Sequence, residues 1–97
     1  MTAGAPPTVL LVDDEPAMLA ALRRILGAAG CHCLTAGSGR EALAVLEFQR
    51  VQVIISDIDM PEMDGLELLR RAREIAPTAV RVVVTGRLGA AVDIERN

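Results

Sequence analysis

The sequence contains no lysine; all ten of its basic residues are arginines. It has one aromatic residue, Phe48, so its interior must be built from Val, Leu, Ile, Ala and Met. No stretch approaches the ~20 apolar residues needed to cross a bilayer. The opening MTAGAPP lacks the basic and apolar regions of a secretory signal. A cytoplasmic location is expected, with residues 1–7 as a flexible lead. Cysteine is scarce too. Cys31 and Cys33 flank His32, but alternation along a strand sends the thiols to one face and the imidazole to the other. With no second cluster to complete a tetrahedral site, these read as small buried thiols.

The chain has 97 residues and a net charge of −3, which suits one domain with a small core. That charge argues neither for nor against nucleic acid. Its distribution is more informative, because seven of the 13 acids fall in two short segments: Asp13, Asp14 and Glu15, then Asp57, Asp59, Glu62 and Asp64. The remaining chain is slightly basic.

TVLLVDD, Thr8 to Asp14, is a short, branched apolar run ending in acids and reads as a buried strand. Pro16 suits a first helical turn. Met18, Leu22, Ile25 and Ala29 then recur at helical spacing with Leu19 and Leu26, and Gly30 is the expected stop. Cys31 to Ala36 reads as a second strand. Ser38 and Glu41 have capping-box spacing for a second helix ending near Phe48. Val51 to Ser56 reads as the third strand, Asp57 to Asp64 as a loop, and Gly65 to Ile75 as the third helix, broken by Ala76-Pro77. Val80 to Gly86 is the expected fourth strand, and a fourth helix is expected around Ala90 to Arg96. Strand and helix alternate, and the strands are nearly continuous apolar runs. That pattern predicts a small α/β, doubly wound parallel sheet with helices on both faces.

In such a sheet, ligands bind beyond the carboxyl ends of the strands at the topological switch point. Asp13 and Asp14 end the first strand, Asp57 the third and Thr85 the fourth. If the first and third strands are neighbours, three carboxylates converge although 43 positions separate Asp14 from Asp57. Two such charges ~4 Å apart cost about 4 kcal/mol at an effective dielectric near 20. Protonation or a hard divalent cation must offset that repulsion. Each feature alone has a plainer reading: an acidic pair after a strand is often a solvated turn, and a lone Thr85 a turn residue.

LLVDDEP, DIDMPEMDGLELL and VVVTG, in that order and spacing, resemble the receiver domain of bacterial two-component response regulators over nearly the whole chain. The resemblance implies a flavodoxin-like receiver fold with strand order 2-1-3-4. It implies Asp57 as phosphoacceptor, fed by a sensor histidine kinase or a phosphotransfer protein, in a signalling phosphoprotein that is not itself an enzyme. It implies Mg²⁺ held by Asp13, Asp14, Asp57 and the backbone carbonyl of Asp59, and Thr85 as hydrogen-bond donor to the phosphoryl group and switch. Pro61 and Gly65 would shape the loop. Glu62 and Asp64 read as loop or helix-start charge, and Glu15 as either a helix cap or a neighbour of the metal.

A complete receiver carries a fifth strand, ending in a lysine and bearing a switch aromatic, and a fifth helix. The sequence stops at Asn97 before them, so fifth strand and fifth helix are expected to be missing and phosphorylation to be slow. The fourth strand is then expected to be an exposed apolar edge, inviting a homodimer or domain swap or leaving an unstable fragment. No membrane contact and no direct nucleic-acid binding are expected. An alternative is a phosphorylation-independent interaction module on the same fold. A third reading, a haloacid-dehalogenase-type phosphatase, takes DID as its aspartate pair; chain length, Pro61 and the unexplained upstream VDDE count against it.

Overall fold

The computed structural model describes residues 4–85 and the backbone of 91–95. The expected alternation is present. Strand β1 (Thr8–Val12) leads into helix α1 (Pro16–Ala28), and β2 (His32–Ala36) into α2 (Gly39–Phe48). Strand β3 (Val53–Asp57) leads into α3 (Gly65–Ile75), followed by β4 (Val80–Thr85) and β5 (Ala91–Glu95). The sheet order is β2-β1-β3-β4-β5, and the first four strands are mutually parallel. Helix α1 lies on one face over β1 and β2, whereas α2 and α3 pack together on the other.

Local chemistry sets the boundaries. Pro16 opens α1, where its missing N–H costs no intrahelical bond. Gly30 takes φ 98° just beyond the helix, a left-handed turn that glycine adopts without a Cβ penalty. The Ser38 hydroxyl accepts the Glu41 N–H at 3.1 Å, and the Glu41 carboxylate reaches back to the Gly37 N–H. Helix α3 starts at Asp64, whose carboxylate accepts the Glu67 N–H at 2.8 Å.

The larger apolar cluster joins Leu10, Val12, Ile54 and Val83 of the sheet to Ala42 and Leu46 of α2 and Leu68, Leu69 and Ala72 of α3. The smaller one, on the α1 side, centres on Val9, Leu11 and Cys33. Phe48 lies outside the core and is largely exposed, in keeping with an aliphatic interior. Each fully buried leucine contributes about 1.5–3 kcal/mol.

The C-terminal expectations need correcting. Where a fourth helix was expected around Ala90 to Arg96, residues Ala91–Glu95 form a strand; Ala90 and Arg96 themselves lie outside the described residues, as does Gly86. A fifth strand is therefore present, and it runs antiparallel to β4, pairing Thr85 with Ala91 and Arg81 with Glu95. The reversal follows from chain length. Five residues separate β4 from β5, too few for the parallel crossover of a dozen or more. Val92 and Ile94 are β-branched and favour extended backbone. Strand β4 thus pairs on both sides and is not an exposed edge, which removes the stated basis for a domain swap through it. Of the lead at residues 1–7, residues 1–3 lie outside the described residues, and the Pro7 carbonyl accepts the His32 N–H at 2.8 Å.

Candidate functional site

Parallel pairing sets the site. Strands β1 and β3 are neighbours, with Val12 opposite Ser56, so Asp13 and Asp57 leave the sheet at the same edge. One carboxylate oxygen from each of Asp13, Asp14 and Asp57 lies within 4.8 Å of the others. Asp13 is buried, Asp57 half-buried and Asp14 exposed. Among the described residues no other group of three His, Cys, Asp or Glu side chains converges in this way.

Two of the three carboxylates, those of Asp13 and Asp57, accept hydrogen bonds from the backbone. The Asp13 N–H donates to the Ala36 carbonyl of β2 at 3.1 Å, and its Oδ1 accepts the Glu15 N–H at 2.9 Å. Glu15 thus serves through its backbone, and as N-cap of α1 it makes no side-chain cap bond. The Ser56 hydroxyl, fully buried, donates to the Asp57 carbonyl at 2.9 Å. Burial pushes the Asp57 carboxyl up from its ordinary value and the charge of Asp13 adds to this. The Asp59 backbone N–H, hydrogen-bonded to it, works in the opposite direction, and the carboxylates of Asp14 and Asp59 raise it further. Crowded, partly desolvated carboxylates of this kind favour a proton or a cation.

The loop after Asp57 is closed at its base. The Ile58 N–H donates to the Val84 carbonyl at 3.0 Å, and the Gly65 N–H to the Ile58 carbonyl at 2.9 Å. Gly65 is required by contact: a Cβ there would run into the Asp57 carbonyl oxygen and stand 3.0 Å from the Ile58 Cα. Within the loop Glu62 adopts φ 70°, which is uncommon for a residue with a Cβ. Asp64 caps α3, and neither Glu62 nor Asp64 belongs to the carboxylate cluster.

Thr85 ends β4 one residue beyond Val84, the register partner of Asp57, which puts it at the same sheet edge. Cys31 and Cys33 are free thiols, and burial pushes the Cys33 thiol up, as for an inert interior cysteine. Sequence reasoning passed over two features. Arg81 is 1 % exposed within an otherwise apolar strand, and an arginine inside VRVVV was the available signal. The Asp59 N–H bond to Asp57 had none, because it depends on the turn of the loop.

A doubly wound sheet of order β2-β1-β3-β4 with aspartates gathered at its carboxyl edge has the architecture of a receiver domain. The family model described as "Response regulator receiver domain" matches residues 9–95, and the chain belongs to that family, which places it in two-component signalling. It is 39% identical over 80 residues to the transcriptional regulatory protein GlrR of Escherichia coli K12, covering 82% of this chain and 18% of that one. It is 39% identical over 77 residues to the Escherichia coli sensor histidine kinase RcsC, covering 79% of this chain and 8% of the other. Among solved structures, the Vibrio cholerae chemotaxis protein CheY4 superposes with a TM-score of 0.78 at 36% identity, over 81% of this chain and 68% of that one. The chain thus spans less than a fifth of either curated relative. Among the described residues no helix is long and apolar enough to cross a membrane.

Proposed function

We propose that this receiver domain takes up a phosphoryl group on Asp57 in a Mg²⁺-dependent reaction, from a phosphohistidine on a sensor histidine kinase or phosphotransfer protein. The observation that carries the reading is the convergence of the Asp13, Asp14 and Asp57 carboxylates within 4.8 Å. Their oxygen-only donor set suits a hard divalent ion, which typically takes one or two carboxylates and completes its shell with water and phosphate oxygens. Asp13, Asp14 and Asp57 would hold it, with the Asp59 backbone carbonyl as a further donor. When bound, Mg²⁺ offsets the negative charge of the incoming phosphoryl oxygens.

The protein's own groups do the rest. An Asp57 carboxylate oxygen forms a bond to phosphorus as the bond from phosphorus to the donor's imidazole nitrogen breaks, giving an acyl phosphate and a free histidine. The Asp59 N–H steadies the carboxylate that attacks. The Thr85 hydroxyl, at the same edge, donates to a phosphoryl oxygen and moves toward it when the group arrives. Asp57 is itself modified, so the chain acts as a phosphoprotein and not as an enzyme with a separate substrate. It works in the cytoplasm through protein partners, without contacting nucleic acid itself.

Incubation with Mg²⁺ and acetyl phosphate tests this. Intact-protein mass spectrometry should show one base-labile phosphoryl adduct, abolished by chelation and by Asp57→Asn. Beryllofluoride should give Mg²⁺-dependent NMR shifts at Asp57, Asp59 and Thr85. If Mg²⁺ binds and no adduct or shift appears, phosphoryl uptake is refuted and an interaction module on the same fold is favoured.

A further inference from the structure

Among the described residues, Glu62 is the one residue with a Cβ that takes a positive φ, 70°. The Met63 N–H donates to the Pro61 carbonyl two residues back, at 2.7 Å. A positive φ at the centre of such a bond marks the rare, strained form of the three-residue turn. Strain of that kind persists only where the surrounding structure holds it.

What holds this turn lies at its ends. Met60 and Met63, on either side, both pack against the larger apolar cluster. Met63 also lies along the backbone of Gly39, the first residue of α2. A Cβ built on Gly39 would stand 2.6 Å from the Met63 sulfur, and 3.1 and 3.2 Å from its Cγ and Cβ. Gly39 is buried although it starts a helix. The β3–α3 loop thus leans on the start of α2 through the Met63 side chain. That contact draws its strength from apolar burial and dispersion.

The same side chain is open to small solutes. Met63 is half-buried and lines a cleft of about 230 Å³ with Ser38, Gly39, Pro61 and Glu62. Asp13, Asp14 and Asp57 are not among the residues lining this cleft. A small neutral oxidant entering it meets the thioether. Oxidation to the sulfoxide turns a flexible apolar side chain into a polar one. A polar group draws water, and water competes for the contact that holds the turn.

We propose that Met63 is an oxidation site, and that its thioether latches the β3–α3 loop to α2 until a peroxide oxidises it. The sulfur lone pair attacks one oxygen of hydrogen peroxide, and an S–O bond forms as the O–O bond breaks. The sulfur is oxidised by two electrons. The departing hydroxide takes the proton of the transferred oxygen and leaves as water. The sulfoxide then loosens from Gly39, and the turn at Glu62 relaxes. Asp59 lies in the same loop, so the change reaches the Asp57 carboxylate through its bond from the Asp59 N–H. The latch itself does not depend on what Asp57 binds.

Treatment of the full chain with dilute hydrogen peroxide in chelator tests this. Peptide mass spectrometry should locate one added oxygen on Met63, alongside oxidation of Met18, which is 44% exposed. Hydrogen exchange at the Met63 and Gly65 amides should quicken at least about fivefold, and the urea-unfolding midpoint should fall. Methionine sulfoxide reductases should reverse both changes. Met63→Leu keeps the volume and removes the oxidisable sulfur. It should hold both readings through the same treatment, although Met18, Met60 and the two free cysteines remain. Met63→Gln, a polar chain of similar length, should reproduce the oxidised behaviour without peroxide, and it serves as the test should Met63→Leu fail to fold. An unmodified Met63 beside an oxidised Met18 overturns the proposal. A Met63 sulfoxide that leaves exchange and midpoint unchanged overturns it equally, as does a Met63→Leu protein that loses as much as the parent.

Discussion

Replacing Asp57 with asparagine should make the metal-free protein more stable. At the outer limit of 4.8 Å, each pair of ionised carboxylates repels by about 3.5 kcal/mol at an effective dielectric of 20 and by about 0.9 kcal/mol in bulk water. Asp14 is exposed and Asp57 half-buried, so screening keeps the net gain from Asp57→Asn at about 1–2 kcal/mol at neutral pH. Burial and Asp13 raise the carboxyl above its ordinary value, which fixes the pH dependence. Between the unfolded value near 3.8 and the raised folded value, the folded state binds more protons than the unfolded state. Its stability therefore falls as pH rises through that window. The advantage of Asp57→Asn should be full at neutral pH and vanish below the unfolded value. Urea unfolding in chelator, repeated from neutral to acidic pH, reads this directly. Mg²⁺ should reverse the order: at a hundred times its dissociation constant it adds about 2.7 kcal/mol to a protein that binds it, and little to Asp57→Asn. If Asp57→Asn is no more stable than the parent in chelator at neutral pH, the carboxylates do not repel as their separation implies, and the electrostatic reasoning fails.

Four further outcomes follow from contacts around the site and along α2 and α3. Gly65→Ala should cost about 1–3 kcal/mol, the range for overpacking, because the new methyl meets the Asp57 carbonyl and the Ile58 Cα. Gly39→Ala should cost less in the same unfolding assay, because the new methyl meets the Met63 side chain, which can shift, and not fixed backbone. Asp64→Ala should cost about 1 kcal/mol through loss of the α3 cap. Glu67→Ala, which breaks an exposed pair with Arg71 at 2.7 Å, should cost no more than about 0.5 kcal/mol; thermal melts of the two variants side by side would show the difference.

The parts of the fold set by local chemistry were legible in the sequence. Gly65 to Ile75 is the observed extent of α3, because a capping aspartate and an Ala-Pro break mark its ends. Alternation predicted the parallel sheet, whereas the strand order, and with it the meeting of Asp13 and Asp14 with Asp57, came from the resemblance of the motifs to a receiver, because periodicity does not say which strands are neighbours. Residues 91–95 were misread for a physical reason. AVDIE is short enough to suit helix or strand, and the deciding quantity was the five-residue connection to β4, which forbids a parallel return. Arg81 inside β4 could not be placed by pattern alone, since a charge in an apolar strand marks either face or edge until the helices are located. The need for glycine at position 65 arises from a backbone approach across the loop, which spacing along the chain does not encode.

The hydrogen bond from Gly65 to Ile58, at 2.9 Å, gives the segment between them the form of a ring. Its ends are joined, and its base is tied to β4 through the Val84 carbonyl. Most of the entropy lost on ordering such a segment is lost once, during folding. A ligand that later uses the Asp57 carboxylate or the Asp59 backbone meets groups already in place, so its affinity is spared the cost of ordering them. Substitutions that open the ring at Gly65 should therefore weaken ligand binding by enlarging what remains to be ordered, even where every side chain that touches the ligand is intact.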